Sequence, residues 1–176
     1  MKDNNVKIIG GKWKRKSISF HEAKGLRPTL GKVRETLFNW LGQDLNNKVC
    51  LDLFAGTGAL GFEALSRNAE LCIFVENNPS TFRKLIENKE NLKAENAIIK
   101  KIHADFFIKD NEKLFDIIFF DPPFILDNSI QIIELIRKFL KPNGVIYFET
   151  NIKLPENFLE IIKTSRAGKV YFHLVH

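Results

Sequence analysis

The chain has 176 residues, 44% of them hydrophobic, with a net charge of +6 and two cysteines. That is enough apolar material to close a core, and the length favours one domain, 1–176, over two. No apolar run approaches the roughly 18 residues of a membrane span, and Met1 to Asn5 lack the apolar centre of a signal peptide, so a cytoplasmic protein with no membrane association is expected.

Charge is uneven along the chain. Residues 1–34 hold ten Lys/Arg against Asp3 and Glu22, whereas the remainder holds 17 basic and 19 acidic residues. The densest basic piece is Lys12-Trp13-Lys14-Arg15-Lys16. A solvated face accounts for many such runs; here the embedded tryptophan and the segment-wide excess point to a polyanion, with Lys12, Lys14, Arg15 and Lys16 on phosphates. Trp13 either stacks on an unpaired base or packs onto the core. Val6–Phe20, with Gly10-Gly11 as a turn signal, predicts a small hairpin. Thr29–Leu41 predicts a helix with Val33, Leu37, Phe38 and Leu41 on its apolar side, approached through the extended Arg27-Pro28. Residues 1–41 thus read as a basic extension ahead of a core over 48–176.

In that core, short apolar runs alternate with helical patterns. Val49–Phe54, Leu71–Val75, Ile98–Ile102, Phe115–Phe120 and Val145–Phe148 predict strands; Ala59–Arg67, Pro79–Leu92 and Ser129–Leu140 predict helices. Repeated strand-helix units predict an α/β, Rossmann-like, mostly parallel sheet covered on both faces. Phe158–Thr164 and Val170–Val175, joined at Ala167-Gly168, predict a closing hairpin that makes one strand antiparallel. Cys50 and Cys72 fall inside strands, with no Cys/His cluster near them, and read as buried thiols; no metal is expected.

Gly56, Gly58 and Gly61 in Leu51-Asp52-Leu53-Phe54-Ala55-Gly56-Thr57-Gly58-Ala59-Leu60-Gly61 satisfy G-x-G-x-x-G at the turn from the first core strand to its helix. Glu76, 20 residues beyond Gly56, ends the second core strand, where a carboxylate can hold a ribose diol. Asp52 is misplaced beside a pyrophosphate but suits the ammonium of a methionine moiety, which favours S-adenosylmethionine over a dinucleotide. Asp105, after the third strand, is either an acceptor for an adenine amine or a helix N-cap. Three carboxylates at the carboxyl ends of three consecutive strands lie on the edge where open α/β sheets bind ligands.

Asp121-Pro122-Pro123-Phe124 ends the fourth core strand, next to the first at the switch point. An exocyclic amine on a base is a poor nucleophile because its lone pair is delocalised into the ring. Asp121 can accept one of its N–H groups and the Pro122 carbonyl the other, while proline stiffens the turn. Phe124 offers a stacking face to a base taken out of its stack. The proline turn alone is an ordinary strand-to-helix link; joined to the glycine loop it predicts an amino-methyltransferase.

The stretch 52–61 with Phe62 to Arg67, the Asp121–Phe124 turn, and Arg27-Pro28-Thr29 with Val33 to Leu41 resemble the bacterial 16S rRNA (guanine(966)-N(2))-methyltransferases, from about Ile8 to the last strand. The resemblance implies the seven-stranded class I methyltransferase fold and methylation of a guanine N2 amine in 16S rRNA of assembled or assembling small subunits, by a monomer. It also implies that Gly56, Gly58, Glu76 and Asp105 bind cofactor, that Asp121 and Phe124 bind the target base, and that Arg27 and Thr29 close the methionine end. Lys32 departs from many relatives, which carry Asp or Glu there. Two other readings differ in class. A DNA adenine or cytosine amino-methyltransferase normally carries a large target-recognition insertion, absent here, and a noncatalytic RNA-binding module leaves the glycine loop and Asp121 turn without a purpose.

Overall fold

The computed structural model describes residues 3–21, 31–122, 129–151, 154 and 160–176. Two strands, β1 (Asp3–Lys7) and β2 (Ser17–His21), form an antiparallel hairpin, with a single 3-10 turn at Gly11–Trp13 in the connection. The connection is longer than Gly10-Gly11 alone suggests, because residues 8–16 fold down onto the body of the protein. Helix α1 (Gly31–Leu41) follows and buries Val33, Leu37 and Phe38 as its 3.6-residue period requires.

The remaining elements are β3 (Val49–Asp52), α2 (Ala59–Ser66), β4 (Leu71–Glu76), α3 (Pro79–Leu92), β5 (Ala97–Lys101), α4 (Ala104–Asp110), β6 (Phe115–Phe120), α5 (Ser129–Arg137), β7 (Leu140–Thr150), β8 (Ile161–Ala167) and β9 (Val170–Val175). Seven strands form one sheet in the order β5-β4-β3-β6-β7-β9-β8, parallel from β5 to β7, with β9 antiparallel to both β7 and β8. The Rossmann-like sheet is the one expected from the alternation of elements, and its seven-stranded class I methyltransferase arrangement is the one the family resemblance implies.

Two apolar layers sandwich the sheet. One joins the hairpin (Ile8, Trp13, Ile18), α1, α2 and α3 to Cys50, Phe74, Phe119, Tyr147 and Phe172; the other joins α4 and α5 to Leu51, Val75, Ile118, Phe120 and Ile146. Alternate residues of β3 and β6 therefore feed opposite layers, the pattern of strands covered on both faces. Phe38 meets Phe119 at 6.1 Å between ring centres and Trp40 stacks on Phe172 at 5.2 Å, which fixes α1 over the β6-β7-β9 part of the sheet. Both cysteines are buried free thiols, paired by register across β3 and β4.

The hairpin docks through one buried carboxylate. Glu63, with a fully buried side chain, accepts the amides of Ile9 (2.9 Å) and Gly10 (2.8 Å) and the Nε of Arg67 (3.0 Å). Arg34 lies 3.7 Å from it and donates to the Lys7 carbonyl. Ser66 accepts from the Trp13 amide and Asn88 from the Ser19 amide, so α2 and α3 hold the hairpin along its length.

Several elements differ from the sequence expectation. Helix α5 ends at Arg137, and Leu140 already belongs to β7, pairing with Phe115 ahead of a register shift after which Val145 pairs with Ile117. β8 runs on to Ala167, and Phe158 lies outside the described residues. Residues 104–110 form α4, too short for helical periodicity to be legible.

Candidate active site

The site lies where the strand order reverses, between β3 and β6. Leu53 donates to the Phe119 carbonyl on β6 (3.1 Å) and Ala55 to the Val75 carbonyl on β4 (3.0 Å), so the turn after β3 is tied to both neighbouring strands. Gly56 and Gly58 have φ of 50° and 76°, in the left-handed region that favours glycine. A Cβ on Gly58 would come within 2.7 Å of the Phe62 ring, and one on Gly61 would run into Phe74 and Cys72. The first glycine of the motif thus shapes the turn, while the last two also let α2 close on the sheet.

Asp52 ends β3 with only 3% of its surface exposed and accepts the Gly61 amide at 3.0 Å. Burial pushes its carboxyl up to about 7, opposed by that amide and assisted by nearby Glu76. Among the described residues no cation pairs with it. Glu76 ends β4, half-buried, and takes the Gly56 amide on one oxygen (3.0 Å) and the Asn78 amide on the other (2.7 Å). Each oxygen retains acceptor capacity for a hydroxyl.

Asp105 lies in the first turn of α4, one position beyond Ala104; the N-cap is His103, so neither strand end nor cap describes it. It is exposed, and the adjacent Phe106 is 59% exposed, its ring 6.1 Å edge-on from His103, which meets Asn77 at 3.0 Å. An open carboxylate and an open aromatic face thus stand beside the end of β4.

Asp121 and Pro122 follow β6, both half-buried. Two residues that sequence reasoning missed stand next to them. Tyr147, fully buried on β7, donates to Glu149 at 2.6 Å. Burial, then Glu149, then Asp121 raise the Tyr147 hydroxyl well above its ordinary pKa, so it stays protonated and acts as donor. The pairing of Phe120 with Phe148 sets Glu149 level with Asp121 on the adjacent strand. Its signal was in the sequence: Glu149 closes the apolar run 145–148 as Asp121 closes 117–120.

Arg27, Thr29 and Phe124 lie outside the described residues. Lys12, Lys14, Arg15 and Lys16 are exposed, but Trp13 is 7% exposed, its amide on Ser66 and Lys12 4.8 Å above its ring. The ring is packed onto the core and presents no open stacking face. Ser66 is the last residue of α2, a helix that starts at the glycine turn and runs back toward the amino ends of the strands; the basic run therefore lies at the edge opposite Asp121.

The donor set fits S-adenosylmethionine. Asp52 suits an ammonium, Glu76 a ribose, and Asp105 with Phe106 a purine amine and ring, the first two ending the adjacent strands β3 and β4 and the last two in α4, which follows β5. Sheet order, glycine turn and carboxylates together define a class I methyltransferase that uses S-adenosylmethionine. Among the described residues, no group of three or more His, Cys, Asp or Glu side chains is arranged to hold a metal ion, and no helix is long and apolar enough to cross a membrane. The chain belongs to the family described as conserved hypothetical protein 95, whose model matches residues 6–176. It is 38% identical to the Ribosomal RNA small subunit methyltransferase D of Haemophilus influenzae, over 96% of this chain and 92% of that one. It is 37% identical to the protein of the same name from Escherichia coli K12, over 96% of this chain and 88% of that one. A solved Escherichia coli structure superposes with a TM-score of 0.83 at 33% identity, covering 97% of each chain.

Proposed function

We infer that this protein methylates the exocyclic N2 amine of a guanine in 16S rRNA of the small ribosomal subunit. The observation that carries this reading is the position of Asp121 and Pro122 at the end of β6, directly across the switch point from the glycine turn after β3. Relatives at 37–38% identity named as small-subunit rRNA methyltransferases support the substrate.

The cofactor, when bound, supplies an electrophilic methyl group on a sulfonium. Asp52 meets its ammonium, Glu76 its ribose hydroxyls and Asp105 its adenine amine; Gly56 and Gly58 let the backbone approach, and Arg27 and Thr29 close the methionine end. Asp121 accepts one N–H of the guanine amine and the Pro122 carbonyl the other, which frees the nitrogen lone pair for in-line attack; as the N–C bond forms the methyl–sulfur bond breaks, a thioether departs and the amine gives up one proton, while Phe124 stacks on the base. Alignment of amine and methyl group supplies most of the rate. The substrate is rRNA in an assembled or assembling subunit, met by a cytoplasmic monomer that needs no metal. Lys12, Lys14, Arg15 and Lys16 contact rRNA phosphates away from the reacting centre, and Trp13 braces that segment on α2.

The test is incubation with labelled S-adenosylmethionine and small subunits lacking the native mark, followed by nucleoside analysis. Label in N2-methylguanosine is expected. Label in another nucleoside, or none, contradicts the reading.

A further inference from the structure

A cavity of about 490 Å³ opens between the first turns of α1 and the β8–β9 turn, and three cations line it: Lys32, Arg166 and Lys169. Thr36 and Ser165 add hydroxyls, Phe172 lines it as well, and no carboxylate is among its described lining residues. None of the three cations forms an ion pair among the described residues. Arg166 reaches the cavity at its rim: it pairs with Tyr171 on the sheet face away from Phe172, its Nε donating to the Gly168 carbonyl at 2.7 Å and its guanidinium lying 5.1 Å over the Tyr171 ring. Two lysines with Arg166 at the rim, two hydroxyls and an aromatic wall select an anion attached to an organic body.

The place of this cavity in the sheet identifies the anion. β9 runs antiparallel to β7 and pairs Tyr171 with Thr150, so the Gly168-Lys169 turn projects past the same edge of the sheet as Asp121. Phe172 pairs with Glu149, which is level with Asp121, and so lies two strand spacings, about 10 Å, from it. That is the reach of one or two nucleotides along a single strand.

We propose that this cavity docks the phosphate–ribose backbone of the rRNA nucleotide next to the target guanine. The proposal rests on the rRNA-methylating reading above. It makes this cavity, rather than the distant Lys12–Lys16 run, the contact that registers the target base over Asp121.

The test compares wild type with Lys32→Gln/Arg166→Gln/Lys169→Gln, and with Lys32→Gln/Lys169→Gln in case loss of Arg166 perturbs the turn. A third variant replaces Lys12, Lys14, Arg15 and Lys16 with Gln. Thermal melting and calorimetry with S-adenosylhomocysteine report folding and cofactor binding, which should not change. Half-saturation by small subunits in single-turnover methylation should rise about tenfold or more in the triple variant, and the log–log salt slope should fall by about 2. Binding of a fluorescent single-stranded RNA oligonucleotide should weaken in parallel. The third variant should change half-saturation less than the triple variant does. If wild type methylates subunits and the cavity variants match it in half-saturation and salt slope, the proposal is overturned while the function stands. If subunit affinity falls but oligonucleotide binding does not, the cavity faces a protein of the subunit, and the proposal is equally overturned. If wild type transfers no methyl group to rRNA, the functional reading itself has failed.

Discussion

The Glu76 carboxylate accepts the Gly56 amide at 3.0 Å, joining the end of β4 to the crest of the glycine turn. One side chain thereby shapes the turn and, on the proposed function, presents acceptors to the ribose. Glu76→Ala should weaken S-adenosylhomocysteine binding by about 1–3 kcal/mol, roughly fivefold to 150-fold. Calorimetry giving unchanged affinity would remove Glu76 from the cofactor site.

If Asp52 pairs with the cofactor's ammonium as proposed, cofactor affinity depends on pH. Its folded-state pKa of about 7 stands above the ordinary 3.8, so the free protein keeps a proton that the unfolded chain releases. The resulting stability is fully present below pH 3.8 and is lost as pH rises through 7. A bound ammonium reverses that preference. Binding of S-adenosylhomocysteine below pH 7 should therefore release a proton, and affinity should fall as pH drops from 8 to 6, toward a limit of about tenfold per unit. Calorimetry in buffers of different ionisation heat measures both. Asp52→Asn should abolish the dependence; wild-type affinity that is flat across this range would contradict the pairing.

Tyr147 holds Glu149 beside Asp121 and stays protonated to do so. Tyr147→Phe preserves the core volume and removes only the hydroxyl. A hydrogen bond to a charged group is worth about 1.5 kcal/mol or more, so single-turnover methylation should slow roughly tenfold with cofactor affinity unchanged. An unaltered rate would assign the pair to structure alone.

Glu63 is the test of how the hairpin is held. Glu63→Ala leaves the Ile9 and Gly10 amides, Arg34 and Arg67 without their shared acceptor in a buried setting. Removing one partner from a buried ionic cluster costs about 3–5 kcal/mol. The melting temperature should fall by several degrees or more, with faster hydrogen exchange in β1 and β2 than in β3 and β6. Uniform exchange across both would show that the hairpin is held by apolar contacts instead.

The sheet was legible because its strands are short apolar runs at regular spacing, and Asp52, Glu76 and Asp121 were legible because each is a carboxylate closing such a run. Glu149 obeys the same rule, yet it went unread because no motif accompanies it. Helix α4 was hidden by its length. The fate of Trp13 was undecidable from its neighbours: four adjacent cations suggest exposure, and only the arrival of Ser66 and Glu63 from α2 shows the ring covered. The cation cavity could not be read at all. Lys32 is more than 130 residues from Arg166 and Lys169 in sequence, and they meet because β9 enters the sheet antiparallel between β7 and β8.

The central claim is that Asp121 acts on the guanine amine rather than on the cofactor, and single-turnover methylation of unmarked small subunits by Asp121→Ala tests it most directly. Its acceptor role exists only with the base in place, so methyl transfer should fall by orders of magnitude while S-adenosylhomocysteine affinity stays close to wild type. Methyl transfer near the wild-type rate, with cofactor binding intact, would contradict the account.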